Sequence, residues 1–123
     1  MTEEAPEQRD HVRAADVISL GQLTIESDRD GEVHTICLVG ELDLATADAV
    51  QEELDRVEAS DAGAIVVDLS RLEFMDSTGV RLLVYAVARS REDSNRLTLL
   101  RGPAAVQRVL ELSGVVALLP FAD

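Results

Sequence analysis

The run Phe74-Met75-Asp76-Ser77-Thr78-Gly79-Val80 sets a carboxylate beside two hydroxyls where an apolar stretch gives way to a helical pattern. Two kinds of chemistry suit these residue types. Asp, Ser and Thr start helices well, because their side-chain oxygens accept the free N–H groups of the first turn. The same N–H groups and the partial positive charge at a helix start tolerate a phosphate, so a hydroxyl there can be phosphorylated with the helix intact. Phosphorylation adds about −1.5 to −2 charges and three strong acceptors. On an apolar docking patch that includes Met75 and Val80, that charge would block a partner through desolvation cost and repulsion, and Asp76 would sharpen it. These residues alone leave the cap and the switch both standing.

Other chemistries lack their residues. The only histidines are His11, near the N-terminus, and His34, in a strand-like run; neither is placed to serve a Ser-His-Asp triad at Ser77. No GxSxG elbow surrounds Ser77, and HExxH, CxxC, EF-hand, P-loop and GxGxxG patterns are missing, so no catalytic residue, cofactor or metal is expected. Asp43, Asp68 and Asp76 could converge at one sheet edge as an oxygen site for a divalent cation, a reading weighed and set behind the others. With 11 basic against 24 acidic residues the net charge is −13, which repels nucleic acid and anionic lipid. Tryptophan is absent, which removes its indole as a base-stacking platform. Cys37 is the single cysteine, and its setting in HTICLVG reads as a small buried hydrophobe on a strand. No apolar run has the length of a membrane span, and the opening MTEEAPEQRD is unlike a signal peptide, so a cytoplasmic protein is expected.

Elements that could position the DST run follow from periodicity. The chain of 123 residues suits one domain. Residues 1–18 lack any period and read as an acidic, disordered tail, leaving 19–123 as the domain. LGQLTIESD and EVHTICLVGELD read as two strands paired antiparallel about Asp30-Gly31. In ATADAVQEELDRVEAS, Ala47, Val50, Leu54 and Val57 share one helical face, with Thr46 as N-cap and Gly63 as the stop. AIVVDL, a continuous apolar run, reads as a strand covered on both faces. STGVRLLVYAVARSRED carries a helical stripe at Val80, Leu83, Val84 and Val87. RLTLLRG is a further strand, PAAVQRVLELSG a third helix between Pro103 and Gly114, and VVALLPF a last short strand. The order β-β-α-β-α-β-α-β implies an α/β fold. Its loops GELDLAT, SRLEFMDST and RGPAA should meet at the C-terminal ends of the strands.

Three segments in sequence, VGELDLATADAV, IVVDLSRLEFMDSTGVRLLV and LTLLRGPAAVQRVLELSGV, resemble the STAS domain of bacterial anti-sigma factor antagonists. The likeness covers about residues 20–121. It implies a STAS-like mixed β-sheet with an antiparallel edge hairpin and helices packed on one side. It further implies a protein that binds an anti-sigma factor serine kinase and so releases a sigma factor. That kinase then phosphorylates the serine after the motif's aspartate, the complex falls apart, and a serine phosphatase resets it. On this chain the resemblance makes Ser77 the phosphoacceptor. Thr78 is the fallback, since family members carry serine or threonine there. Asp76 would position the loop, Gly79 would admit the partner's backbone, and Asp43 and Thr46 would lie beside the same surface. A non-catalytic scaffold module of a stress-signalling complex is the alternative the same resemblance allows.

Overall fold

Short connections dominate the first third of the chain, and they set up a meander. In the computed structural model, which describes residues 13–122, β1 (Arg13–Leu20), β2 (Leu23–Asp30) and β3 (Val33–Leu42) follow one another through two-residue turns. Then come α1 (Ala47–Glu58), β4 (Ala64–Asp68), β5 (Leu72–Met75), α2 (Ser77–Asp93), β6 (Leu97–Leu100) and α3 (Ala104–Leu112). β1, β2 and β3 pair antiparallel, β4 adds to β3 in parallel and β6 to β4, giving the order β1-β2-β3-β4-β6. The expected hairpin of β2 and β3 is therefore present, and β1 extends it to the sheet edge.

Three expectations need correction. Residues 13–18, expected in the tail, are most of β1, paired from Arg13↔Asp30 to Leu20↔Leu23. The strand left no periodic signal because Asp16 to Leu20 are exposed on both faces, so no apolar alternation is required of them. The disorder expected of residues 1–12 lies outside the described residues. The run Ala64–Asp68 was expected to be covered on both faces, yet only Ile65 and Val67 are buried in the core. Finally, VVALLPF does not make a strand. Val116–Leu118 form a 3₁₀ turn, and only Phe121 bridges to Leu99. Gly114, at φ 73, ends α3 as expected. The chain then tightens through i→i+3 bonds such as Leu118 N–H to Val115 C=O at 2.8 Å.

The core lies on one face of the sheet. Leu23, Ile25, Ile36, Leu38, Ile65, Val67, Leu97 and Leu99 are buried together with Val50, Leu54 and Val57 of α1, Val80, Leu83 and Val87 of α2, and Val106 and Leu110 of α3. The helical stripes of α1 and α2 were thus read correctly, apart from Val84, which is only partly buried. Residues of the opposite face, such as Thr24, Glu26, Thr35 and Asp68, are half-buried, and an ion pair of Arg71 with Glu26 at 3.0 Å lies along it.

What places the DST run is a change of partner along β3. Val33 to Cys37 pair with β4, whereas Gly40 to Leu42 pair with β5, a strand that the sequence presented as loop. β4 and β5 therefore lie end to end beside β3, the handover falling between Cys37 and Gly40, and the β3–β5 pairing shifts register just after it, at Gly40/Glu41. Gly40 sits there at φ 111, and a Cβ on it would lie 2.1 Å from the Gln22 carbonyl oxygen. β5 then delivers Met75 opposite Leu42, and α2 starts two residues later. Its first turn packs so closely that a Cβ at Gly79 would lie 2.6 Å from Met75 Cγ and 3.0 Å from Leu42 Cδ2. The glycine expected to admit a partner's backbone is buried and serves this internal contact instead.

One buried polar cluster joins α1 to the sheet. Glu53, only 4% exposed, takes a fork from Arg56 at 3.0 and 2.6 Å. Ser27 and His34 meet beneath it at 2.6 Å. Burial pushes the Glu53 carboxyl up, but hydrogen bonds from Arg56 and Ser27 outweigh it and hold the group below the usual range. Burial is also the chief reason that the His34 imidazole lies below its ordinary 6.5.

Two outcomes follow. As pH falls through 6.5 the unfolded chain takes up a proton at His34 before the folded one does, so stability present above that pH is lost below it. The urea midpoint should drop between about pH 7.5 and 5.5, and drop less in His34→Gln, which keeps a partner for Ser27 but cannot titrate. Gly79→Ala should destabilise the protein by about 1–3 kcal/mol through overpacking, measured by urea denaturation.

Candidate functional site

α2 begins with a cap made by the residue before it. Asp76 has extended backbone, and its Oδ1 accepts the N–H groups of Thr78 at 2.9 Å and Gly79 at 3.4 Å. The backbone N–H of Asp76 donates to the Leu42 carbonyl at 3.3 Å, which ties the cap to the end of β3. With the capping done by Asp76, neither hydroxyl of the run is needed for it. Ser77, the first residue of the helix, is exposed, and Thr78 is half-buried. Of the two readings of the DST run, the cap thus belongs to Asp76, and Ser77 is left available.

The neighbouring loop is built the same way. Asp43 Oδ1 accepts the Ala45 N–H at 3.0 Å, and the Asp43 carbonyl receives the N–H groups of Thr46 and Ala47. Thr46 occupies the N-cap position of α1, but its side chain makes no capping bond. Its hydroxyl accepts the Asp43 N–H at 3.0 Å and lies 3.0 Å from the Glu41 carbonyl as donor. Thr46 is 2% exposed. It shapes the loop from within and does not present a surface beside Ser77.

Met75 and Val80, expected on a docking patch, are 2% and 6% exposed and belong to the core. Both face inward because the strand-to-helix junction turns them against Leu42 and its neighbours. The apolar surface near the loop comes from two residues the sequence reading passed over. Leu44, in the loop after β3, is 77% exposed, and Phe74, two residues before Asp76, is 47% exposed. A leucine inside the polar loop GELDLAT was the available signal, since nothing in that loop called for a buried side chain.

The first turns of α1 and α2 enclose a shallow groove of about 250 Å³ lined by Ala47, Asp48, Gln51, Thr78, Arg81, Leu82 and Tyr85. Thr78 stands at its rim, one residue from Ser77. The loops after β3 and β5 thus meet as expected. The third expected loop meets the second at its start, away from Ser77: Gly102 packs against the Leu69 carbonyl, and Pro103 lies with Ser70 to Glu73, the opening residues of SRLEFMDST. The three aspartates weighed as a cation site are each spent on a local turn, with Asp68 Oδ1 accepting the Ser70 N–H at 2.8 Å. Among the described residues no group of three or more His, Cys, Asp or Glu is arranged to hold a metal ion. Cys37 lies buried on β3, where burial pushes its thiol up. No helix among the described residues is long and apolar enough to cross a membrane.

Comparison with known proteins agrees with this architecture. The family model described as Mlab, STAS domain, matches residues 25–120. The anti-sigma-F factor antagonist RsfB of Mycobacterium tuberculosis is 32% identical over 89 residues, which are 72% of this chain and 71% of that protein. The structure of the anti-sigma factor antagonist SpoIIAA in its unphosphorylated form superposes with a TM-score of 0.62 at 23% identity, covering 89% of each chain. The phosphorylated form of SpoIIAA, described as a Bacillus cell fate determinant, gives a TM-score of 0.57 at 22% identity, covering 89% of this chain and 92% of that one. With an α/β sheet of this order, a helix opened by Asp76-Ser77-Thr78-Gly79 at its C-terminal edge, and these matches, the chain belongs to the STAS domain family, among the bacterial anti-sigma factor antagonists.

Proposed function

We propose that this protein binds an anti-sigma factor that is also a serine kinase, and that phosphorylation of Ser77 ends the complex. The observation that carries the proposal is the division of labour at the start of α2. Asp76 supplies the cap, and the Ser77 hydroxyl is exposed and has no hydrogen-bond partner among the described residues. A kinase can reach that oxygen without dismantling the helix. Thr78 is the second hydroxyl, half-buried at the rim of the groove and therefore less open to attack. That SpoIIAA, a structural relative, exists in unphosphorylated and phosphorylated forms supports the same reading.

The transfer would run on the partner's ATP. The Ser77 oxygen attacks the γ-phosphorus, the new O–P bond forms as the bond to the bridging oxygen breaks, ADP leaves, and the hydroxyl proton passes to a base of the kinase. A serine phosphatase returns the hydroxyl by hydrolysis. This chain supplies the acceptor and no catalytic group, and it needs no cofactor. Its action is placed in the cytoplasm, without nucleic acid or membrane as partner, in keeping with its net charge of −13.

Docking rests on the surface around the loop. Leu44 and Phe74 offer the apolar area, and Asp43 holds the loop between β3 and α1 in shape. A phosphate placed beside these residues makes the desolvation of the interface costly and adds repulsion next to Asp76.

Binding of the cognate kinase by purified variants tests the switch. Ser77→Ala should bind like the natural chain, and Ser77→Asp should bind at least about tenfold more weakly. Leu44→Ala and Phe74→Ala should each weaken binding about tenfold while leaving the circular dichroism spectrum unchanged. Equal affinities for the Ala and Asp variants at Ser77 would contradict the charge switch.

A further inference from the structure

The proposed phosphate on Ser77 would arrive at a helix start where two of the first-turn backbone donors are already taken. The N–H groups of Thr78 and Gly79 both donate to Asp76 Oδ1, so a carboxylate, and not a vacancy, occupies the start of α2. A phosphate dianion there would stand beside Asp76 in a chain whose net charge is −13. Without a cation in reach, the added charge would go unmatched.

α2 supplies one. The helix runs unbroken from Ser77 to Asp93, which puts Arg81 at i+4 from Ser77, on the same face and one turn on. Arg81 is exposed, lines the groove beside Thr78, and has no ion pair or hydrogen bond among the described residues. Arg29, Arg56, Arg71, Arg89 and Arg96 each lie within ion-pair distance of a carboxylate, whereas Arg81 shares its lack of an ion pair among the described residues with Arg91, Arg101 and Arg108 and is the one of these four that stands one turn from Ser77. An acid placed four residues before a base is the favourable orientation on a helix. A guanidinium can also meet two phosphate oxygens at once. Asp48 and Tyr85 also line this groove, and Asp48 is the one carboxylate there that could compete for the cation.

We propose that Arg81 is an intrachain clasp for the phosphate on Ser77. This rests on Ser77 being the modified residue. In the unmodified chain the guanidinium is open to a partner. In the modified chain it turns to the phosphate, so modification adds negative charge and withdraws a cation from the docking surface in one step. Arg81 is a positioning residue: it holds the product of the modification and takes no part in making it.

The test installs phosphoserine at position 77 during translation, so that no kinase is needed and the clasp can be judged whether or not a kinase uses Ser77. The second ionisation of the phosphate is then followed by ³¹P NMR in the natural sequence, in Arg81→Gln and in Arg108→Gln, which makes the same change of charge on α3. The Arg81→Gln variant should raise that pKa by about 0.2–0.4 of a unit, and Arg81→Lys should restore part of the difference. Arg108→Gln should leave it within about 0.1 of a unit, as a charge on another element screened by salt. An unchanged pKa in Arg81→Gln, or an equal rise in Arg108→Gln, overturns the clasp. Kinase mapping that finds phosphate elsewhere would remove the proposed function and leave the titration result as it stands.

Discussion

The first turn of α2 sits nearly in contact with the ends of two strands, and it can do so only because Gly79 has no side chain. Met75 and Leu42 fill the space where a Cβ would be. Their pairing, Leu42↔Met75, exists because β3 exchanges β4 for β5 at Gly40. That chain of contacts seats the helix start at the sheet edge, and Ser77, two residues before Gly79, is turned outward as a consequence. Buried packing on one side of the turn thus sets the exposure on the other. A change at Gly79 would therefore disturb the site from within, although the residue never meets a partner.

Charge at the site is arranged around the same turn. Asp76 satisfies two backbone donors and is itself tied to β3 through its N–H, so the negative group nearest Ser77 is fixed in place. Local order does not then depend on the state of Ser77. A group added to that oxygen changes the surface while the cap persists. The loop after β3 obeys the same economy, with Asp43 and Thr46 using their oxygens on local N–H and C=O groups. What remains outward is small: a serine hydroxyl, two apolar side chains at Leu44 and Phe74, and the groove with Arg81 and Tyr85.

Much of this was legible in the sequence where burial imposes a period. The stripes of α1 and α2 follow from it, and the positive-φ glycines Gly31 and Gly114 mark the hairpin of β2 and β3 and the stop of α3. Elements without that constraint were hidden. β1 is exposed from Ala15 to Leu20, so these residues need not alternate. β5 has four residues, too few for a pattern, and it is fixed by β3, more than thirty residues earlier in the chain. Site residues were harder for a related reason. Motif order located Ser77, but position in a motif does not tell outward from inward. Met75, Val80, Gly79 and Thr46 turned out to be internal, whereas Leu44 and Phe74 are external. Glu53 likewise carried no sign of burial in the sequence, and its fork with Arg56 together with the Ser27 hydroxyl makes that burial tolerable.

The central claim is that the exposed hydroxyl at the start of α2 is the group its partner modifies. The most direct measurement is to incubate the protein with ATP and its cognate serine kinase, then map phosphate by mass spectrometry in the natural chain and in Ser77→Ala. The account predicts one phosphate, on Ser77, and none in Ser77→Ala. Modification at full strength in Ser77→Ala would contradict it.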